Sequence, residues 1–256
     1  MIDVLDLLSS ALLVVLAFFA SVVGALVGAG GGFVFTPILI LMGYPPKEAV
    51  STSLVMVLFN SLSASISHYR IGRLNVGKTL LLGVGTLPGT IAGYFILSSL
   101  NLIMFRLFFS LFILIVSTYL LLKTILSEEE HDKASSDKPD LIKAYLLAPV
   151  VGMLASLFGI GGGVLMVPTL IYLAVPTHTA TAMSMFVNMF SSSFALLSHS
   201  SNNPPALTTV LLMAFSGVAG GQVGVIVNRR LRDRTLRAVI AGAFIAVGLS
   251  LLSRNG

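Results

Sequence analysis

The chain has no cysteine in its 256 residues, so disulfides, iron–sulfur clusters and thiol catalysis are excluded at once. Charge is scarce as well, at 10% of residues against about 25% in a soluble domain. No Asp or Glu lies deep in any apolar segment, and Glu48 stands at a helix start. A carboxylate relay, the usual proton path through a membrane, therefore has almost no candidates. The Gly-x4-Gly-Lys-Ser/Thr motif is missing, which argues against ATP drive by this chain. No basic residue precedes the first apolar run, which follows Asp3 and Asp6 instead. That makes a poor signal peptide, and the first helix is expected to be retained.

What is present is apolar. Hydrophobic residues make up 56% of the chain, and the mean hydropathy is +0.99. Several apolar stretches of about 20 residues would each cross a bilayer. The expected fold class is an all-α polytopic membrane protein, multi-pass in the cell membrane, with no room for a sizeable soluble domain. The net charge of +5 comes from basic residues in short loops, as the positive-inside bias requires. No nucleic-acid partner is implied.

Apolar segments run at 7–27, 31–43, 48–68, 78–98 and 103–126, and again at 141–159, 162–175, 179–199, 207–227 and 237–253. Between the two sets lies a polar linker whose composition suits a mobile loop. The expected organisation is a first transmembrane repeat over 1–126, a linker over 127–140 and a second repeat over 141–256. One fixed offset of 131 positions, Gly28 to Gly159, pairs Pro37 with Pro168, Pro45 with Pro176, Ser53 with Ser184 and Ser61 with Ser192. It also pairs His68 with His199, Gly89 with Gly220, Gly93 with Gly224 and Arg106 with Arg237. A gapless match of Pro, Ser, His and Arg marks a duplication.

Loop charge decides the arrangement of the copies. If the chain turns back at each glycine break, each half has five membrane segments. The basic loops Arg70–Lys78 and Arg229–Arg237 and the linker then share one side. Lys/Arg bias puts that side in the cytoplasm. An odd number of segments per half makes the repeats inverted, with both termini outside. The arm after each break is short: Gly31–Met42 spans about 18 Å as helix, below the roughly 30 Å of a bilayer core. Each repeat is thus expected to hold one Gly-interrupted helix, re-entrant or half-length, plus about three full spans. Matched interrupted segments in two halves point to a transporter site near the midplane.

The runs Gly28-Ala29-Gly30-Gly31-Gly32 and Gly159-Ile160-Gly161-Gly162-Gly163 would aim helix N-termini into the protein. Such ends favour an anion. Close packing through small residues is the plainer alternative, but it does not require three glycines in a row followed by proline. A dinucleotide fingerprint fits poorly, because Phe33 and Val164 stand where its last glycine would. The helix after each break carries a row of uncharged polar groups, among them Ser53, Asn60 and Ser61 in the first copy and Ser184, Asn188 and Ser192 in the second. Together the rows suggest a lined path for an oxyanion; singly, each serine is explained by bonding within the membrane. The duplicated His68 and His199 suit gating or proton exchange, since imidazole titrates near neutrality; a helix-end histidine at the interface is the other reading. Arg106 and Arg237 are expected to snorkel.

The paired motifs, Gly28–Gly32 with Pro37, Ser51–Ser53 and Asn60, and Gly159–Gly163 with Pro168, Ser184 and Asn188, resemble the sulfite exporter TauE/SafE family. The resemblance covers nearly the whole chain outside the linker. It implies transport of small sulfur-containing anions such as sulfite, sulfoacetate or thiosulfate. The second copy departs at Ala182 and Met183, where the first has Ser51 and Thr52.

The reading is a secondary transporter, an exporter on the resemblance. Gly30, Gly31, Gly32, Gly161, Gly162 and Gly163 supply N–H groups to the anion, and Ser53, Asn60, Ser61, Ser184, Asn188 and Ser192 complete the cage. The partners implied are the anion and the lipid bilayer; a homodimer stays open, and no cofactor or metal is called for. An anion channel or uniporter is the alternative. An intramembrane enzyme is disfavoured: Ser67–His68 and Ser198–His199 are sequence neighbours and point about 100° apart on a helix, and no His/carboxylate cluster suits a metal.

Overall fold

The computed structural model describes residues 4–126, 142–200 and 205–232, with Thr235, Leu236, Ala238, Val239, Gly242 and Ile245 beyond them. The linker 127–140 and most of the segment expected at 237–253 lie outside the described residues. Among those described the secondary structure is helical: α1 (Val4–Val27), α2 (Gly32–Leu41), α3 (Pro46–Arg70), α4 (Val76–Gly85), α5 (Leu87–Ser99), α6 (Leu102–Leu126), α7 (Ile142–Phe158), α8 (Gly163–Tyr172), α9 (Thr177–Ser200) and α10 (Leu207–Arg230). Among the described residues five segments are long and apolar enough to cross a bilayer: Ser10–Val27, Pro46–Arg70, Val76–Ser99, Thr177–His199 and Leu207–Arg230.

Helix limits follow local chemistry. α1 stops where Gly28, Gly30 and Gly31 take left-handed φ values of 84°, 76° and 88°, a region that costs other L-residues about 1–2 kcal/mol. α3 opens on Pro46, whose fixed φ and missing N–H suit a first turn. Asn75 caps α4 by accepting the Lys78 N–H at 3.2 Å. Pro88 follows the break between α4 and α5; at the equivalent place α10 has Ala219 and runs on unbroken.

The duplication is visible in the element bounds. α1 and α7 end, α2 and α8 begin and end, α3 and α9 begin, and the α4–α5 pair and α10 begin and end, each 131 positions apart. The halves interlock rather than sit side by side. Glycines let α10 lie on α1: a Cβ on Gly220 would come within 2.7 Å of the Phe18 carbonyl, and one on Gly224 within 2.5 Å of that of Val22. Likewise α5 lies on α7, with Gly89 against the Pro149 carbonyl and Gly93 against that of Met153. These are small-residue contacts at a spacing of four, the close helix packing of membrane interiors. α3 is central: 72% of its most apolar 18-residue stretch is buried, against 39% for that of α10. Outward faces are apolar, with Leu146, Leu207 and Phe215 at least 70% exposed, as a lipid-facing surface requires.

Candidate functional site

The two glycine turns meet at the centre of the molecule. A Cβ on Gly32 would sit 2.1 Å from the Gly159 carbonyl oxygen, and one on Gly163 would sit 2.1 Å from that of Gly28. Thus α2 starts against the other repeat's turn, and α8 does the same in return. Serines of the opposite repeat fasten each turn. Ser53 donates to the Gly159 carbonyl at 2.9 Å and Thr36 joins it at 3.3 Å. Ser184 donates to the Gly28 carbonyl at 2.7 Å and Asn188 joins it at 3.3 Å. Ser53 and Ser184 are repeat mates, so the straps form a reciprocal pair.

The side walls are α3 and α9. Along α3 the contacts run from Val50 and Ser53 on Gly159 to Val57 and Asn60 on Gly30. Along α9 they run from Thr181 and Ser184 on Gly28 to Ser191 on Gly162. The two helices therefore pass the pair of turns in opposite directions.

The glycines, serines and asparagines expected to hold the anion are at or beside this junction. Asn60 donates to the carbonyls of Ser21 at 2.9 Å and Gly30 at 3.0 Å. The Gly162 N–H goes to Ser191 Oγ at 3.2 Å, and the Gly30 N–H goes to the Gly24 carbonyl at 3.3 Å. Gly161 faces Gly30, since a Cβ on either would meet Val57 on one side and Asn188 on the other. Gly31 abuts the Ala20 carbonyl. Ser61 and Ser192 bond back to the carbonyls of Val57 and Asn188 in their own helices. Asn60 and Asn188 are not repeat mates: the offset pairs Asn60 with Ser191 and Asn188 with Val57. Both walls thus carry an amide, at positions that do not correspond. Both asparagine Oδ1 atoms are buried without a hydrogen-bond partner.

His68 and His199 lie away from the junction, toward opposite ends of the path. His199 is 5% exposed and lines a cavity of about 410 Å³ with Lys47, Ser51, Thr52, Tyr94 and Thr209. Its Nε2 lies 3.3 Å from Ser156 Oγ, and its ring stands edge-on to Tyr94 with centroids 5.0 Å apart. At the other end a polar cluster links α1, α9, α10 and the segment after α3. Asn228 donates to the Leu26 carbonyl at 2.7 Å, and its Oδ1 lies 3.0 Å from His178 Nδ1 and accepts from Arg73 Nη1 at 3.5 Å. His68 is fully buried near that end, and neither ring nitrogen has a partner. The sequence reading passed over Lys47, Tyr94 and the Arg73–His178–Asn228 cluster. Among the described residues no three His, Asp or Glu side chains gather as a metal set.

An all-α, multi-pass chain whose interrupted helices meet at a polar junction, with a cavity leading in from one end, has the architecture of a membrane transporter. The comparisons make that specific. The family model described as "Sulfite exporter TauE/SafE" matches residues 13–251, and the chain belongs to that family. It is 28% identical to a probable membrane transporter protein, YunE, of Bacillus subtilis, over 96% of this chain and 98% of the relative. It is 27% identical to the probable membrane transporter protein MJ0441 of Methanocaldococcus jannaschii, over 94% of each. A shorter match, 30% identical over 32% of this chain and 18% of the relative, is to sulfite exporter TauE/SafE family protein 1 of Arabidopsis thaliana. No solved structure matches the chain.

Proposed function

We propose that the protein is a secondary transporter, working as an exporter, of small sulfur-containing oxyanions such as sulfite or organosulfonates. The anion is bound where the two glycine turns meet, between inverted repeats that rock to expose it to one side and then the other. The observation that carries this reading is the reciprocal strap of Ser53 on Gly159 and Ser184 on Gly28. It ties the two halves together where the N-termini of α2 and α8, one from each half, meet. The opposite passage of α3 and α9 supports the inverted arrangement.

In the state seen here the junction is packed and the cavity lies beside Ser51 and Thr52; on this reading the Asn228 cluster keeps the opposite end closed. Rocking that frees the straps would let backbone N–H groups of Gly30–Gly32 and Gly161–Gly163 turn to an oxyanion, with Asn60, Asn188 and the flanking hydroxyls as further ligands. Serine and asparagine carry no charge, so they coordinate an anion without holding it too tightly to leave. His68 and His199 are the gating or proton-exchange groups of the two ends. On the positive-inside rule the linker is cytoplasmic and both termini are outside, which makes the open cavity the outer one.

Sulfite counterflow in proteoliposomes tests the site. N60A and N188A are each expected to slow it by about tenfold or more, a loss of roughly 1.4 kcal/mol or more of transition-state binding. Two folded variants with wild-type rates would remove the asparagines from the site. A channel is recognised by uptake that never exceeds equilibrium under an imposed ion gradient.

A further inference from the structure

We propose that the open cavity is an oxyanion-binding site in its own right, apart from the glycine junction, with Lys47, His199 and the first turn of α10 as its recognition groups. This deepens the transport reading and rests on it in one respect: an anion must pass this way.

Three observations converge on the cavity. Its volume of about 410 Å³ is ample for a small sulfonate and falls in the usual range for small-molecule sites, about 300–1,000 Å³. Its charge balance favours an anion. α10 begins beside it on Ala206, which makes no side-chain cap bond, and has no acidic residue in its first turn. The positive end of that helix dipole is therefore uncompensated, and Lys47 adds a full charge. The one carboxylate lining the cavity, Glu48, sits in the first turn of α3, where it offsets that helix's own dipole.

The third observation is the repeat. Position 47 maps to His178 and position 199 to His68, so the same two positions place basic groups at the opposite, closed end. There Arg73 stands beside His178, 3.3 Å from Nη1 to Nδ1. His68 is fully buried with both ring nitrogens unpartnered, so its desolvation is uncompensated there. A state in which that end opens supplies its missing partner. The two ends thus carry basic groups at corresponding positions, and in this conformation the Lys47–His199 site is the exposed one.

The absence of native cysteine makes the test direct. The variants T52C and T209C place a lone thiol on each of two walls of the cavity. Each is treated in proteoliposomes with sulfonatoethyl methanethiosulfonate, itself a sulfonate, and with the cationic trimethylammonioethyl reagent, and the rates are normalised to those of a free thiol. The anionic reagent is expected to react about tenfold faster at both thiols, a field effect of the size a charged cleft gives. K47Q should bring the ratio near one, and K47R should keep it. Equal rates with Lys47 present, or a preference that survives K47Q, would overturn the proposal. Sulfite counterflow on the same vesicles separates the two readings. A preserved charge preference without sulfite transport keeps the capture site and removes the transport reading, and the reverse result does the opposite.

Discussion

Two carbonyl oxygens, those of Gly28 and Gly159, tie each glycine turn to the opposite repeat, and each accepts from two side chains. S53A and S184A should therefore each cost only about 1 kcal/mol, the net worth of one bond, because a second donor remains. T36V combined with S53A leaves the Gly159 carbonyl bare in a buried setting. The double variant should lose about 1 kcal/mol more than the sum of the single losses. Thermal unfolding in detergent measures all of these, and strictly additive losses would contradict the shared-acceptor geometry. At this scale the sequence was partly legible. The glycine runs and Ser53 and Ser184 stand out because they repeat in register. Asn60 and Asn188 look like a pair, yet they occupy different repeat positions. Thr36 has no such signal, because its partner Gly159 becomes a neighbour only when the repeats interlock, and Ser191 stands in the polar row without its bond to Gly162 being legible. For Lys47 there was a signal to read: its mate at the same offset, His178, is also basic.

Helices were the most legible level. Apolar runs and the Gly and Pro interruptions place the described elements to within a few residues, because a membrane interior demands continuous internal hydrogen bonding. The split of α4 from α5, which has no counterpart in α10, is traceable to Pro88. Hidden from the sequence was which helix lies on which, since α5 packs on the far repeat's α7, and α10 on α1. Glycines at these crossings give a sharp prediction. G89A puts a methyl 1.7 Å from the Pro149 carbonyl; backbone against backbone cannot yield by a rotamer change, and a loss of about 3 kcal/mol or more is expected. G77A, in the first turn of α4 with its nearest neighbour at 3.8 Å, should be neutral or stabilising by up to about 1 kcal/mol. The amount of monodisperse protein in detergent reads out the difference, and equal behaviour of the two variants would refute the packing.

Across the whole molecule the two ends differ although their positions correspond. The closed end is fastened by Asn228, Arg73 and His178; the residues that match them in sequence are Leu97, Pro204 and Lys47, whose side chains lack the groups for the same cluster. N228L removes the bond to the Leu26 carbonyl and the acceptor shared by Arg73 and His178. It should shift the population toward the opposite-facing state. A thiol at Ala182, the buried mate of Ser51, should then react several-fold faster with sulfonatoethyl methanethiosulfonate, and one at Thr52 more slowly. Unchanged rates at both positions would mean that the cluster does not hold that end closed. The central claim, that an oxyanion crosses between these interlocked repeats, is tested most directly by uptake of radiolabelled sulfite into proteoliposomes. Unlabelled sulfite, sulfoacetate, thiosulfate, sulfate or chloride is trapped inside in turn. Our account predicts accelerated uptake with internal sulfite or a sulfonate and little acceleration with chloride. Uptake no faster than in protein-free liposomes under every condition would contradict it.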